Sequence, residues 1–470
     1  MSYKRTEISK EQVARQLAVC EEIKRELAAG SRAMVDTYGC QQNEEDSEKL
    51  RGYLAAMGYE MTDNEHEADV IVINTCAVRE HAEQRVFGNL GALTHTKKEN
   101  PNQMIAVCGC MVKQEHIVEK IKKSYPLVSL VFGPDELWRF PELLQRAREG
   151  KKRVYAPGEG DGCVAEGVPH LRDGKVKAWL SVMNGCNNFC SYCIVPYTRD
   201  RERSRRADDI IAEARELVSR GVKELTVIAQ DTTGYGTDIY GKPMTAELLT
   251  ELSKIDGIEM IYLLYTYPDT VTRELIDTIA ANEKIANYID MPIQHINDAV
   301  LKRMNRRGTR EHIENTVKYI RAAHPGFILR STAIVGFPGE TEGQFEELMT
   351  FFRENPFDRL GAFAYSPEDN TPAAEFENQI SDEVKQERLK RLYEQQMGIS
   401  LALNKARLGK VERVVVEYTQ GDTAYCRSYA EAPDTDGFII VPSGGGLREG
   451  DYTDVRLTRA MEYDIMGERV

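Results

Sequence analysis

Short apolar runs alternate with stretches of helical period along most of this chain. Met34-Val-Asp-Thr-Tyr38, Asp69-Val-Ile-Val-Ile-Asn74 and Met104-Ile-Ala-Val107 read as buried strands, being short, apolar and β-branched where they are longest. Helix-period segments follow at 46–57, 80–98 and 114–123. Such alternation predicts an open, mainly parallel α/β sheet with helices on its faces. A second alternation begins at Lys177, with strands predicted at 178–183, 224–230, 260–265, 288–294, 328–336 and 359–365. Helices are predicted between them near 207–220, 245–255, 271–281, 309–322, 341–353 and 381–404. Six strand–helix units fall short of the eight in a complete barrel, so a partial (β/α)6 barrel is expected. Beyond residue 405 the pattern becomes apolar–polar alternation broken by Gly, Asp and Pro, the signature of a small all-β barrel or sandwich. The chain divides accordingly into a helical extension (1–30), an open α/β domain (31–145), a linker (146–175), a barrel (176–404) and a β-domain (405–470).

Composition narrows the class. At 470 residues, with 41% hydrophobic and 29% charged positions, this is the make-up of a soluble multidomain protein. No apolar stretch is long enough to cross a bilayer, and residues 1–30 form a charged helix in place of a signal peptide, so a cytoplasmic protein without a membrane partner is expected. The net charge of −14 excludes coating of nucleic acid by bulk electrostatics but leaves room for a local basic patch.

Ten cysteines in a reducing compartment read as metal or redox ligands where they cluster. Cys186, Cys190 and Cys193, in Asn184-Gly-Cys-Asn-Asn-Phe-Cys-Ser-Tyr-Cys, give CxxxCxxC with no nearby fourth thiol. Three thiolates suit an iron–sulfur cluster whose last iron stays open to an outside ligand. The plainer alternatives are a zinc knuckle completed from elsewhere, His295 being the nearest downstream histidine, or thiols buried as small hydrophobes. The triad follows the first barrel strand, at the carboxyl-end mouth where barrel active sites lie. Cys40, Cys76 and Cys110 each sit just past a strand of the first sheet, where ligands of open α/β sheets bind, and so are expected to converge. Arg199-Asp-Arg-Glu-Arg-Ser-Arg-Arg206 is a dense basic run beside the central triad, read as a solvated loop.

CxxxCxxC after a first barrel strand resembles the radical S-adenosylmethionine superfamily. That resemblance implies an open iron that binds S-adenosylmethionine, Tyr192 stacking on its adenine, and Gly336, Gly339 and Glu340 of Ile334-Val-Gly-Phe-Pro-Gly-Glu lining the cofactor pocket. The last stretch also reads simply as a strand-to-helix turn with Thr341 as helix cap. Tyr38-Gly-Cys-Gln-Gln-Asn, Asn74-Thr-Cys-Ala-Val-Arg-Glu and Val107-Cys-Gly-Cys-Met resemble the methylthiotransferases, a branch with a second cluster. The resemblance implies two [4Fe-4S] clusters, one on Cys186, Cys190 and Cys193 and an auxiliary one on Cys40, Cys76 and Cys110. It also implies a TRAM domain at the C-terminus, a low-potential electron donor and a sulfur source. Cys20, Cys108, Cys163 and Cys426 are left as ordinary thiols. The chemistry expected is radical replacement of a C–H hydrogen by sulfur, followed by methylation.

Two acceptors are expected from two resemblances. Residues 31–206 resemble the branch that methylthiolates an isopentenylated adenosine beside the tRNA anticodon; residues 207–470 resemble the branch acting on an aspartate of ribosomal protein S-twelve. Residues 401–470 carry nine Lys and Arg against twelve Asp and Glu, which suits a basic protein better than RNA phosphates. The ribosomal protein is therefore the expected acceptor, with tRNA as the alternative.

Overall fold

In a computed structural model the described residues are 6–77, 80–150, 153–158, 162–172 and 176–470, with side chains at 80–82 left aside. The first sheet has six parallel strands in the spatial order Glu60–Met61, Arg32–Tyr38, Val70–Thr75, Met104–Gly109, Val128–Phe132 and Val154–Ala156. Its central strand Val70–Thr75 is buried at every position, because helices cover both faces. Val70 and Val72 point into one core with Leu50, Tyr53 and Phe140, whereas Ile71 and Ile73 point into the other with Leu90, Val107 and Ile117. The stretch expected as a linker supplies the sixth strand, and its Cys163–Ala165 pairs in parallel with Thr6–Ile8 ahead of the leading helix Lys10–Glu26. Three-residue strands carry too little period to stand out among Gly, Lys and Asp.

The second unit has the six parallel strands that the pattern predicts. Met260–Leu263, Glu224–Ile228 and Lys177–Ser181 form one sheet, and Tyr288–Asp290, Ile328–Val335 and Arg359–Ala364 form another. A bridge between Ile261 and Ile285 joins them, giving a partial barrel packed inside its helices around a continuous apolar core. The last 60 or so residues close into a five-stranded barrel, Val411–Gln420, Thr423–Arg427, Ile439–Val441, Ile465–Arg469 and Tyr452–Ala460, around Val414, Ile439 and Val455.

Two charge readings change in the folded chain. Arg199, Arg203 and Arg205 of the basic run are buried, not solvated. Arg205 forks onto Glu166 at 2.6 and 2.7 Å and reaches Glu213 at 2.7 Å. Likewise, several acids of the β-domain are spent in ion pairs and not on its open surface. Glu431 and Glu412 are paired with Arg407 at 2.6 and 2.8 Å, Arg359 adds a contact to Glu431 at 3.3 Å, and Glu417 takes Lys177 at 2.8 Å. Arg427, 2% exposed, bridges Glu417 to Glu224 of the barrel, the latter at 2.6 Å. These buried pairs rivet the β-domain to the barrel, so a count of charges along the chain misjudges its surface. No helix among the described residues is long and apolar enough to cross a membrane.

Candidate active site: two cysteine triads on facing strand ends

The strands Arg32–Tyr38, Val70–Thr75 and Met104–Gly109 are immediate neighbours, with Tyr38, Thr75 and Gly109 level in register. Cys40, Cys76 and Cys110 leave that row after two, one and one residues. Adjacent strands lie about 4.8 Å apart, so three successive ends gather the thiols on one short stretch of sheet edge. Cys40 caps helix Gln41–Ala56. Gly109 has φ +96°, and a Cβ there would overlap the Thr75 carbonyl, so the turn into Cys110 requires glycine. Behind the thiols, buried Asn43 and Asn74 lock the strand ends together. Asn43 Nδ2 donates to the Thr75 carbonyl at 3.1 Å, and Asn74 Nδ2 donates to the Asn43 carbonyl at 2.8 Å and to Ser47 Oγ at 2.9 Å.

The second triad lies on the loop after Lys177–Ser181. Gly185, at φ +79°, is packed so closely on the Arg201 carbonyl that a side chain would overlap it. The loop is held by backbone and side-chain bonds along its length. Cys186 N–H donates to the Asp200 carbonyl at 3.1 Å, Asn188 Nδ2 to Asp231 at 2.7 Å, and Asn305 Nδ2 to the Phe189 carbonyl at 2.8 Å, stabilising Phe189 at φ +47°. Ser191 N–H donates to the Met304 carbonyl at 2.9 Å. Burial, then its neighbour Cys190, pushes the Cys193 thiol up to about 12; burial, then Asp231, raises Cys186, with Cys193 and Cys190 adding to it. Thiols that feel one another this way hold protons unless a metal displaces them.

The two triads meet through the strap that follows Cys193. Helix Val195–Thr198 leads to Arg199, whose Nε donates to Cys110 Sγ at 3.1 Å and whose guanidinium pairs with Asp46 at 2.6 Å. Ala77, Cys110 and Ile194 pack together at this junction, and Ser181 of the barrel donates to Gln42 at 3.0 Å. Burial pushes the Cys110 thiol up, with Arg199 pulling it back toward the thiolate.

The residues expected to line the cofactor pocket divide. Tyr192 is half-buried, its ring edge-on to Phe337 at 6.5 Å and its hydroxyl accepting from Arg306 at 3.2 Å. Gly336 and Gly339 both take positive φ, 71° and 74°, in the turn from Ile328–Val335 to helix Glu342–Glu354. Thr341 caps that helix in a capping box with Gln344. Glu340 is turned inward, fully buried between His295 at 3.1 Å and Arg388 at 2.9 Å, so it props the turn. His295 is thereby engaged with Glu340. Cys20, Cys163 and Cys426 are scattered, and burial pushes each up to about 12. Asp231 and Arg306 were not singled out from the sequence, and Arg199 was read there as part of a solvated loop: each acts through contacts 40 or more residues away.

The donor set fits iron–sulfur clusters. All six thiols are free of disulfides. Soft thiolate ligands suit iron–sulfur clusters, and two sets of three thiols would leave one iron of each cluster without a protein ligand.

A six-strand parallel barrel carrying CxxxCxxC at its mouth defines a radical S-adenosylmethionine enzyme. Residues 180–352 match the radical SAM superfamily, residues 32–133 the uncharacterized protein family UPF0004 and residues 408–470 the TRAM domain. A tRNA-2-methylthio-N(6)-dimethylallyladenosine synthase of Acetivibrio thermocellus is 45% identical over 417 residues, 87% of each chain. A protein of that name from Alkaliphilus oremlandii is 43% identical over 98% of each chain, and one from Carboxydothermus hydrogenoformans is 42% identical over 92% of this chain and 97% of its own. Among solved structures, the radical S-adenosylmethionine methyltransferase TsrM of Kitasatospora setae superposes with a TM-score of 0.53 at 15% identity, covering 87% of each chain, which shows the shared fold.

The chain belongs to the radical S-adenosylmethionine methylthiotransferase family. It is a transferase whose cofactors are S-adenosylmethionine and [4Fe-4S] clusters. The expected ribosomal-protein acceptor is overturned: the relatives named for tRNA modification match through both halves, including the stretch beyond residue 206. The charge count that favoured a basic protein took no account of burial: Glu412, Glu417 and Glu431, together with Arg407 and Arg427, are spent in ion pairs.

Proposed function

We propose that this protein methylthiolates N6-dimethylallyladenosine in tRNA, beside the anticodon, giving the 2-methylthio derivative. Identity of 39–45% to enzymes of that name, sustained over 87–98% of the chain, is the observation that carries the reading. Cys186, Cys190 and Cys193 hold one cluster, leaving an iron for S-adenosylmethionine; Cys40, Cys76 and Cys110 hold the auxiliary cluster. Bound together, these groups supply a radical that abstracts hydrogen from an unactivated carbon, a sulfur atom to replace it, and a methyl group. The chain's own work is positional. Gly185 and Gly109 permit the two tight turns, Asn188, Asp231 and Asn305 fix the first loop, and Asn43 and Asn74 fix the second. Gly336 and Gly339 shape the turn beside Tyr192. Electrons come from a low-potential donor and sulfur from a separate source.

The test is anaerobic incubation of the reconstituted protein with S-adenosylmethionine, dithionite and an anticodon stem-loop bearing dimethylallyladenosine. Digestion should release the methylthio nucleoside together with 5′-deoxyadenosine. Deoxyadenosine without a modified nucleoside would reject the tRNA acceptor while leaving the enzyme class intact.

A further inference from the structure

Arg199 belongs to the radical domain, yet its side chain ends on a thiol of the first domain. It lies six positions after Cys193, and the strap between them is pinned at its far end, where Cys186 N–H bonds the Asp200 carbonyl at 3.1 Å and Arg203 bonds the Arg199 carbonyl at 3.0 Å. Arg199 is 4% exposed. Its Nε–H points at Cys110 Sγ at 3.1 Å, and one terminal nitrogen points at Asp46 at 2.6 Å. Ile194 and Ala77 pack beside the sulfur and keep the surroundings apolar, so the cation's field is poorly screened. The planar fork holds both partners in one fixed plane.

We propose that Arg199 is a positioning residue for the auxiliary cluster, bonding its Cys110 ligand across the domain junction and thereby raising that cluster's reduction potential. This rests on Cys110 being a ligand, as assigned above. Hydrogen bonds to ligand sulfur and nearby positive charge favour the more negative, reduced form of a cluster. Asp46 opposes part of that field and fixes the orientation of the guanidinium. Because the same strap carries the catalytic triad, the bond also ties the relative placement of the two clusters to one side chain.

The experiment is an EPR-monitored redox titration of full-length, anaerobically purified protein. It is run on wild type, R199M, R199K, D46N and R199M/D46N, and repeated with Cys186, Cys190 and Cys193 replaced by alanine to isolate the auxiliary signal. In R199M the reduced-to-oxidised ratio of the auxiliary cluster at a fixed poise should fall about tenfold, equal to about 59 mV for one electron. R199K should fall between R199M and wild type, and D46N should shift the opposite way. R199M/D46N removes both buried charges, so it guards against misfolding of the single variant. R199M/D46N should lie between R199M and D46N, and an unchanged midpoint in R199M, or in R199K should R199M lose the auxiliary iron, overturns the proposal. So does a D46N shift in the same direction as R199M, or loss of the auxiliary iron from R199K and the double variant alike, which would make Arg199 a folding residue. C110A separates the premises: if it keeps both clusters, the ligand assignment fails, whereas if it loses one cluster's iron, only the tuning by Arg199 stands on trial.

Discussion

Replacing Arg427 with methionine tests whether buried ion pairs, not surface complementarity, attach the C-terminal barrel. Arg427 sits on strand Thr423–Arg427 and is 2% exposed. It reaches Glu224 on the barrel strand Glu224–Ile228 at 2.6 Å, contacts Glu417 on its own sheet, and donates to the Glu431 carbonyl at 3.2 Å. Methionine keeps the stem's volume but leaves buried Glu224 with the Tyr452 hydroxyl at 3.3 Å in place of its arginine. Removing one partner of a buried pair costs about 3–5 kcal/mol, mostly the charge left behind. At about 1.4 kcal/mol per tenfold, the opening equilibrium of the β-domain should rise roughly a hundredfold to several thousandfold. Hydrogen–deuterium exchange with mass analysis reads this directly, since local opening sets the exchange rate of buried strand amides. Peptides covering 411–420 and 423–427 should exchange faster by that factor, while peptides from 70–75 keep their protection. In R427M/E224Q no charge is left on the barrel strand, and at least tenfold of the loss should return. Unchanged exchange at 411–427 in R427M would refute the assignment of this cluster as the fastening.

Three further outcomes are expected. C110S should lose one cluster's iron and sulfide but still cleave S-adenosylmethionine, whereas C190S should abolish 5′-deoxyadenosine; iron assay and chromatography of the nucleoside check both. G185A and G109A each place a Cβ against a backbone carbonyl at positive φ, so each should lose the iron of its own triad while far-ultraviolet circular dichroism stays close to wild type. The Glu213–Arg205 pair should stabilise the fold except in acid. Burial raises the Glu213 carboxyl, but Arg205 and His170 more than offset that and hold it at about 2 against an ordinary 4.5. A lowered folded value means the contribution is complete above about 4.5 and fades as pH falls toward 2. The stability gap between wild type and E213Q, read by denaturant titration, should therefore be flat from pH 7 to 5 and narrow below.

Much of this was legible in the chain because the signals are local. Val70–Thr75 and Ile328–Val335 are bounded apolar runs, and helices such as Arg310–Ala323 carry a clean apolar stripe with Thr309 as cap, so their positions follow from period and punctuation. Both cysteine triads stand at strand ends, which topology alone brings to a sheet edge. The strand Val154–Ala156 was missed because three residues among Gly and Lys carry no period. Arg199 and Arg205 were misjudged because a run of charge gives no sign of which partners, 153 residues away at Asp46 or 39 away at Glu166, will bury it. The acceptor was misjudged because a net charge along the chain does not say which groups are paired: Glu417 and Glu431, like Arg427 and Arg407, count as surface charges until the fold places them.

Methylthiolation of tRNA by this chain and its two clusters is read out by nucleoside mass spectrometry of total tRNA from a strain lacking its own methylthiotransferase, with and without this chain. The account predicts that dimethylallyladenosine accumulates without the chain and is converted to the methylthio form with it, but not with C110S or C190S. A nucleoside profile unchanged by the wild-type chain, in cells where it is soluble and loaded with iron, would contradict it.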